Sequence, residues 1–425
     1  MRILVVGMGG AGCRILESLF HHDRKSMPRS IDGIALDRDA DALNSLKVIP
    51  PGRRLFFQPL DPEKPTDLLA SVPAEEVLAR LHAMDDGDID AIFICAGLGG
   101  ILTDAVSEIS GIIRKGMVEP IFGLFTLPCR SEGATAGIRA VDQLDQLAAC
   151  LDGVILFDND LWRGKTAGWA SPPAATLAPD LDFFIPRRGN IEPEDPRLKV
   201  FWRINEVIAQ MMTLLLQAGE HSERSPDDLP EVVLDAGEIL NTIQGMHYIS
   251  IGYACEPLPE QPRGILRLIP RGLPVDESHK KAQRVVDLTK KAIFDEISTR
   301  TNLEDAEKAL VLISGPVQEM SMRGFMTVRR WIDRTIRGFE LRSGDYPQGQ
   351  ARSLAVIVIL AGMQTIPRVA ELRALRGGAP GGDPEGGDQT IVPGSCPPGS
   401  NAEDDRSDQA AYPIPGETDG NEPAP

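Results

Sequence analysis

RILVVGMGGAGCRILESLF, residues 2–20, holds the fold decision in three pieces: a short apolar run, a glycine-rich turn and an amphipathic helical stretch. The run over 2–7 is too short for a buried helix and reads as a strand bounded by glycine. GMGGAG, residues 7–12, then exposes bare backbone N–H groups at the start of a helix, the arrangement that receives an anion.

Working outward, the same unit repeats. DGIALD (32–37) leads to ADALNSL (40–46), DAIFICAG (90–97) to TDAVSEISGIIRKG (103–116), and PIFGLFTLP (120–128) to TAGIRAVDQLDQLAAC (135–150), before DGVILFDND (152–160). Five strands separated by helical segments predict an α/β fold with a Rossmann-like parallel sheet, whose ligands bind at the carboxyl ends of the strands. From Leu161 to about Leu198 the pattern fails, and a long Pro-rich surface loop is expected. VFWRINEVIAQMMTLLLQAGE (200–220) is apolar nearly all round and predicts a long buried central helix. HSERSPDD (221–228) reads as a second polar break.

After Met246 the character changes. HYISIGYA, GILRLI, KALVLISG and LAVIVILAG read as strands, with HKKAQRVVDLTKKAIFD and GFMTVRRWIDRTIRG as helices, a smaller α+β domain. The expected organisation is a nucleotide-binding domain with the central helix over 1–246, the α+β domain over 247–372, and a disordered acidic Gly/Pro-rich tail over 373–425.

Composition excludes several classes. The chain has 425 residues and a net charge of −18, which leaves no basic excess for nucleic acid or an anionic membrane. No apolar run approaches the roughly 20 residues of a membrane span, so neither direct membrane insertion nor a secretory leader is expected, and the reading is cytoplasmic. The six cysteines lack metal-ligand spacing, and no metal site is expected among them.

Gly7, Gly9 and Gly12 satisfy G-x-G-x-x-G, with Asp37 ending the second strand where a dinucleotide enzyme keeps its ribose acid. Alone, this leaves a nicotinamide or flavin oxidoreductase open, beside a ligand-free turn. A second loop, AGLGGILTDA (96–105), follows another strand, and two glycine loops at one crevice suit a mononucleotide triphosphate better.

At this point the chain resembles the tubulin/FtsZ superfamily, most closely FtsZ. GMGGAGC resembles the family's GVGGAG loop, IALDRDADAL its IAVNTDAQAL, and AGLGGILTDA its AGxGGGTGTG signature. FTLPCRSEG is similar to VTKPFxFEG, VFWRINEVI to AFxxANDVL, and VLDAGEI to NVDFADV. ALVLISGPV and VILAG match motifs of the second domain, so the similarity spans nearly the whole folded part in order.

The resemblance implies GTP or GDP as ligand, with Mg²⁺ if hydrolysis occurs. Gly9, Gly10, Ala11 and Gly12 would present amides to the phosphates, and Gly97, Gly99 and Gly100 would form what remains of the second phosphate loop. Glu132 would reach the ribose, Phe201 stack on the base, and Asn205 read the guanine edge. Asp235 and Glu238 would be the catalytic acids, lent to the nucleotide of the next copy in a filament. Core packing, a surface amide and solvated loop acids are the plainer readings of Phe201, Asn205, Glu132 and the DAGE turn.

Departures point to an impaired GTPase. Ile101, Leu102, Thr103, Asp104 and Ala105 replace GTGTG, which predicts displaced phosphates and like-charge repulsion from Asp104. Arg14, Ala136 and Val233 replace an Asn, an Arg and an Asn of the family, with Arg14 a candidate compensating cation. The usual loop over the γ-phosphate is missing, and Arg53 and Arg54 are the anion-binding groups nearest its place. The expected protein is an FtsZ-like cytoskeletal or division-related element that self-assembles or co-assembles into filaments with weak or absent hydrolysis. A non-hydrolysing regulator bound to a conventional FtsZ is the first alternative, and the oxidoreductase the second.

Overall fold

The computed structural model describes residues 1–24, 29–58, 72–166, 192–193, 195–220, 230–258, 274–349 and 351–378. The Pro-rich segment 167–191, the break 221–228, the strand expected at GILRLI and the tail beyond 378 lie outside these residues.

β1 (Ile3–Met8) is buried along its whole length, which explains its uninterrupted apolar sequence: helices cover a parallel strand on both faces. Around it stand β2 (Ile31–Asp37), β3 (Arg54–Phe56), β4 (Ala91–Gly97), β5 (Ile121–Leu127) and β6 (Gly153–Asp158). They are joined in turn by α1 (Gly9–Asp23), α2 (Ala40–Ser45), α3 (Ala74–His82), α4 (Val106–Gly116) and α5 (Ala134–Cys150). The order in the sheet is β3-β2-β1-β4-β5-β6, every pair parallel. Strand order reverses between β1 and β4, so the turns after these two strands flank the switch point where such sheets take ligands.

The sheet continues through β7 (Met246–Pro257), β10 (Ser353–Ala361), β8 (Lys308–Gly315) and β9 (Glu340–Pro347). β7 is parallel to β6, while β10 runs antiparallel to both β7 and β8. The remaining helices are α6 (Asn159–Thr166), α7 (Pro196–Ala218), α8 (Ala236–Ile243), α9 (Pro274–Lys290), α10 (Met322–Thr335) and α11 (Pro367–Gly378). α7 is the expected central helix. It is buried on all sides from Ile204 to Leu216, polar residues included, and packs against α1 and α6.

Four local expectations change. Residues 54–56 form a short edge strand, and both neighbouring arginines are occupied: Arg53 pairs with Asp32 at 2.6 Å, while Arg54 donates to the carbonyls of Leu46 and Ile49. They serve the sheet edge rather than an anion. The loop expected from Leu161 begins as helix α6. β9, ELRSGDYP, went unread because its alternation is polar and weak, as suits an edge strand. α11 carries order to Gly378, past the expected start of the tail. Its partners explain why: Arg373 and Arg376 pair with Asp145 and Asp142 of α5, and the buried Arg368 donates to the Pro128 carbonyl at 2.9 Å.

Candidate functional site

The first glycine turn is built by close packing. A Cβ on Gly12 would lie 2.0 Å from the Cys95 carbonyl oxygen, so α1 can rest on β4 only if that residue has no side chain. α1 starts at Gly9 with no side-chain cap and no acid in its first turn. Its leading amides are therefore left to the positive end of the helix dipole. Arg14 reaches back along the first turn, its Nη1 3.5 Å from where a Gly10 Cβ would sit. The sequence-predicted residues Gly9, Gly10, Ala11 and Gly12 thus share one uncapped terminus, with a guanidinium beside its first turn.

Asp37 lies near Arg14 but is engaged by its own turn. One carboxylate oxygen accepts from the N–H groups of Arg38 and Asp39 at 2.7 and 3.2 Å. Burial pushes its carboxyl above the usual range despite those bonds and the nearby Arg14. It shapes its own turn, which weakens the dinucleotide reading.

The second loop lies against the first, with a Gly97 Cβ position 3.0 Å from the side chain of Ala11. The amides of Leu98, Gly99 and Gly100, however, are already taken. Leu98 N–H donates to Thr126 O at 2.9 Å, Gly100 N–H to Gly97 O at 3.2 Å, and Gly99 N–H to Gln143 Oε1 at 2.7 Å. Thr103 Oγ1 closes the turn on Gly97 O at 2.7 Å. Residues 101–105 wind into a 3₁₀ turn that buries Leu102 over Gly9, its Cβ 3.6 Å from the position a Gly9 Cβ would take. Asp104 is not the isolated repulsive charge expected from the sequence. It pairs with Arg139 and accepts from Gln143 Nε2 at 2.6 Å.

Gln143 and Arg139 were not among the sequence-predicted residues. A signal existed: Gln143 falls on the buried stripe of α5 with Ala140, Val141, Leu144 and Leu147, and a polar side chain there needs partners. Ala136 packs against the loop: its carbonyl oxygen would lie 2.8 Å and its Cβ 3.5 Å from a Cβ at Gly99, where φ is +88°. The first turn of α5 abuts the loop.

Glu132 is exposed and turns one oxygen inward, accepting from Cys129 N–H at 2.7 Å. Phe201 and Asn205 stand one turn apart on α7, Phe201 half-buried against the core and Asn205 only 7% exposed. The neighbouring Glu206 meets His22 of α1 at 2.9 Å, so their helix lies along α1.

Asp235 and Glu238 lie at the other end of the sheet. Asp235 caps α8, accepting from Glu238 N–H at 2.7 Å, and borders a depression shared with Arg2, Asp88 and Asp90, which precede β1 and β4. Glu238 pairs with Arg342 at 3.3 Å, and Val233 beside them is exposed. Six residues of β1, about 20 Å at 3.3 Å each, separate these acids from the glycine turns. Among the described residues no cluster of His, Cys, Asp and Glu forms a metal site, and no helix is long and apolar enough to cross a membrane.

Comparison with known proteins gives this geometry a context. The model of the tubulin-like CetZ C-terminal domain matches residues 198–376. Tubulin-like protein CetZ3 of Haloferax volcanii is 28% identical over 391 residues, covering 88% of this chain and 91% of the relative. A GTPγS-bound protofilament structure of CetZ2 from the same organism superposes with a TM-score of 0.69 at 23% identity, covering 89% of this chain and 98% of that one. A GDP-bound CetZ1 monomer gives 0.68 at 22% identity, covering 88% and 98%. An empty FtsZ dimer from M. jannaschii gives 0.57 at 18%, covering 85% and 88%. The sequence motifs pointed first to FtsZ; these matches lean toward CetZ within the same superfamily.

Proposed function

We propose that this chain, a divergent member of the tubulin/FtsZ superfamily, is a cytoskeletal protein that binds a guanine nucleotide at the amino end of α1 and assembles head to tail into filaments. The observation that carries this reading is the separation of the two candidate half-sites. Gly9 to Gly12 and Arg14 stand at the carboxyl ends of the strands, while Asp235 and Glu238 stand at the amino ends. No motion within one copy brings them together, whereas stacking a second copy end to end does.

In this reading residues 1–246 hold the nucleotide and 247–372 complete the subunit, in the cytoplasm. Glu132 reaches the ribose, Phe201 stacks on the base and Asn205 reads its edge. Gly97 stays beside the phosphates as packing for Ala11. Mg²⁺ travels with the nucleotide, neutralising phosphate charge. Hydrolysis is weak or absent, because Glu238 extends its carboxylate by one methylene and is tied to Arg342. A misplacement near 1 Å costs about 100-fold.

The internally bonded amides of Leu98, Gly99 and Gly100 also favour a second reading, a non-hydrolysing partner that caps or joins filaments of a conventional FtsZ. Two measurements separate these readings. Nucleotide extracted from freshly purified protein should be GDP or GTP, and the protein should sediment above a critical concentration with magnesium and potassium. Nucleotide without self-sedimentation would favour the partner reading; absence of both nucleotide and sedimentation would end the nucleotide-dependent filament reading.

A further inference from the structure

We propose that the outer face of α10 is a docking surface for a carboxylate-rich peptide segment of a partner protein, held by a row of arginines beside an exposed phenylalanine. The inference is independent of the nucleotide reading and uses a different part of the molecule.

α10 is amphipathic: Phe325, Val328, Trp331 and Ile332 are buried, while Arg323, Arg329, Arg330, Asp333 and Arg334 are exposed. Four arginines against one acid is a local reversal of charge in a chain with 62 acids and 44 lysines and arginines. Successive residues turn by about 100°, so Arg323, Arg330 and Arg334 fall within about 40° of one line that runs about 16 Å along the helix. Arg323 Nη1 meets His279 Nε2 of α9 at 3.3 Å. Among the described residues Arg330 and Arg334 form no side-chain ion pair or hydrogen bond, although Asp333 lies within one turn of Arg330. Other surface arginines differ: Arg2 finds Asp86, Arg80 finds Glu76 and Arg373 finds Asp145.

The second observation is apolar. Phe294 is 45% exposed, and its ring lies 6.0 Å from that of Trp331, the neighbour of Arg330 in sequence. Arginine beside aromatic surface is the composition of an interface anchor. Guanidinium groups take carboxylates bidentately, and a single line of them matches a narrow occupant. At about 3.3 Å per residue, an extended segment of about five residues covers the row. Asp333 beside the row and Asp295 beside Phe294 are both exposed, and a flat anionic bilayer would press its phosphates against them. A peptide strand leaves them in water. The net charge of −18 does not forbid this contact, because charges beyond about 8 Å are screened at physiological salt.

Fluorescence anisotropy on the full-length protein tests the surface with a fluorescein-labelled polyglutamate peptide carrying one central leucine. The Kd should be about 10 μM and should rise at least about fivefold between about 50 and 300 mM salt. Arg330→Gln and Arg334→Gln should each weaken binding about tenfold, the scale of one lost charged hydrogen bond. Phe294→Ser should weaken the leucine peptide and leave an all-glutamate peptide unaltered. Arg329→Gln removes the same charge about 100° round the helix from Arg330 and should change the Kd less than about twofold. Equal losses for Arg329→Gln and Arg330→Gln would reduce the effect to bulk charge and overturn the inference. So would absence of peptide binding, or binding to phosphatidylglycerol vesicles in its place, which would give this face to a membrane. The wild-type peptide and vesicle measurements decide the matter without any variant.

Discussion

Gly12 shows how one residue ties fold to site. The missing side chain lets α1 approach β4 and sets the helix terminus beside the second loop. Gly12→Ala would push a methyl group into the Cys95 carbonyl, and because β4 lies mid-sheet the strand cannot yield. The expected loss is about 3 kcal/mol or more in chemical denaturation, the upper range of overpacking. Gly52→Ala, with nothing within 4 Å of the new methyl, should change stability by less than about 0.5 kcal/mol. Equal midpoints for the two variants would contradict this account. The need for glycine at position 12 was legible in the motif. The role of Gln143 was not, because nothing local says which loop a buried amide will meet.

At the scale of elements, α11 is the part the sequence under-read. Its arginines look like solvated charges until α5 supplies acids opposite them. Glu371 ties the helix to its surroundings: Arg130 at 2.7 Å and Arg368 at 2.9 Å hold its carboxyl down to about 2. Above pH 4.5 both folded and unfolded chains carry the charge and the contribution is complete. As pH falls from 4.5 toward 2 the unfolded chain takes up the proton first, so the contribution declines and then vanishes. Glu371→Gln should therefore cost stability at pH 7, with the gap to wild type narrowing over that window. The cost should stay under about 1 kcal/mol because the carboxylate is 42% exposed. A gap that widens on acidification would refute the assignment. Truncation after Gly378 should leave the midpoint unchanged, whereas truncation after Ile366 removes α11 and should lower it.

For the whole molecule the decisive property is polarity along the strands. β8 and β9 begin at the same end of the sheet as β1, so Lys308, Phe339 and Glu340 share the face that carries Asp235. Phe339 is fully exposed there, next to the Lys308–Glu340 pair at 3.1 Å. A bare phenylalanine inside a polar rim has the form of an interface anchor. If copies stack head to tail, Phe339→Asp should raise the critical concentration for sedimentation at least about tenfold without altering nucleotide affinity. Unchanged sedimentation would place the contact elsewhere. Under the same head-to-tail stacking Asp235→Asn should likewise spare binding, because the acid then faces the neighbouring copy rather than the nucleotide of its own.

The amino-acid sequence by itself determined the alternation of strands and helices, the two glycine turns and the order of superfamily motifs. Each of these is written in local periodicity or in residues that only backbone geometry explains. Tertiary structure decided what the turns are available to do. It brought Gln143 and Arg139 from 40 or so positions away onto the second loop, and it set Asp235 a full strand length from the glycine turns. Such outcomes depend on which groups meet across long separations in sequence, and a hydrogen bond or a strand direction becomes visible only once the sheet has been assembled.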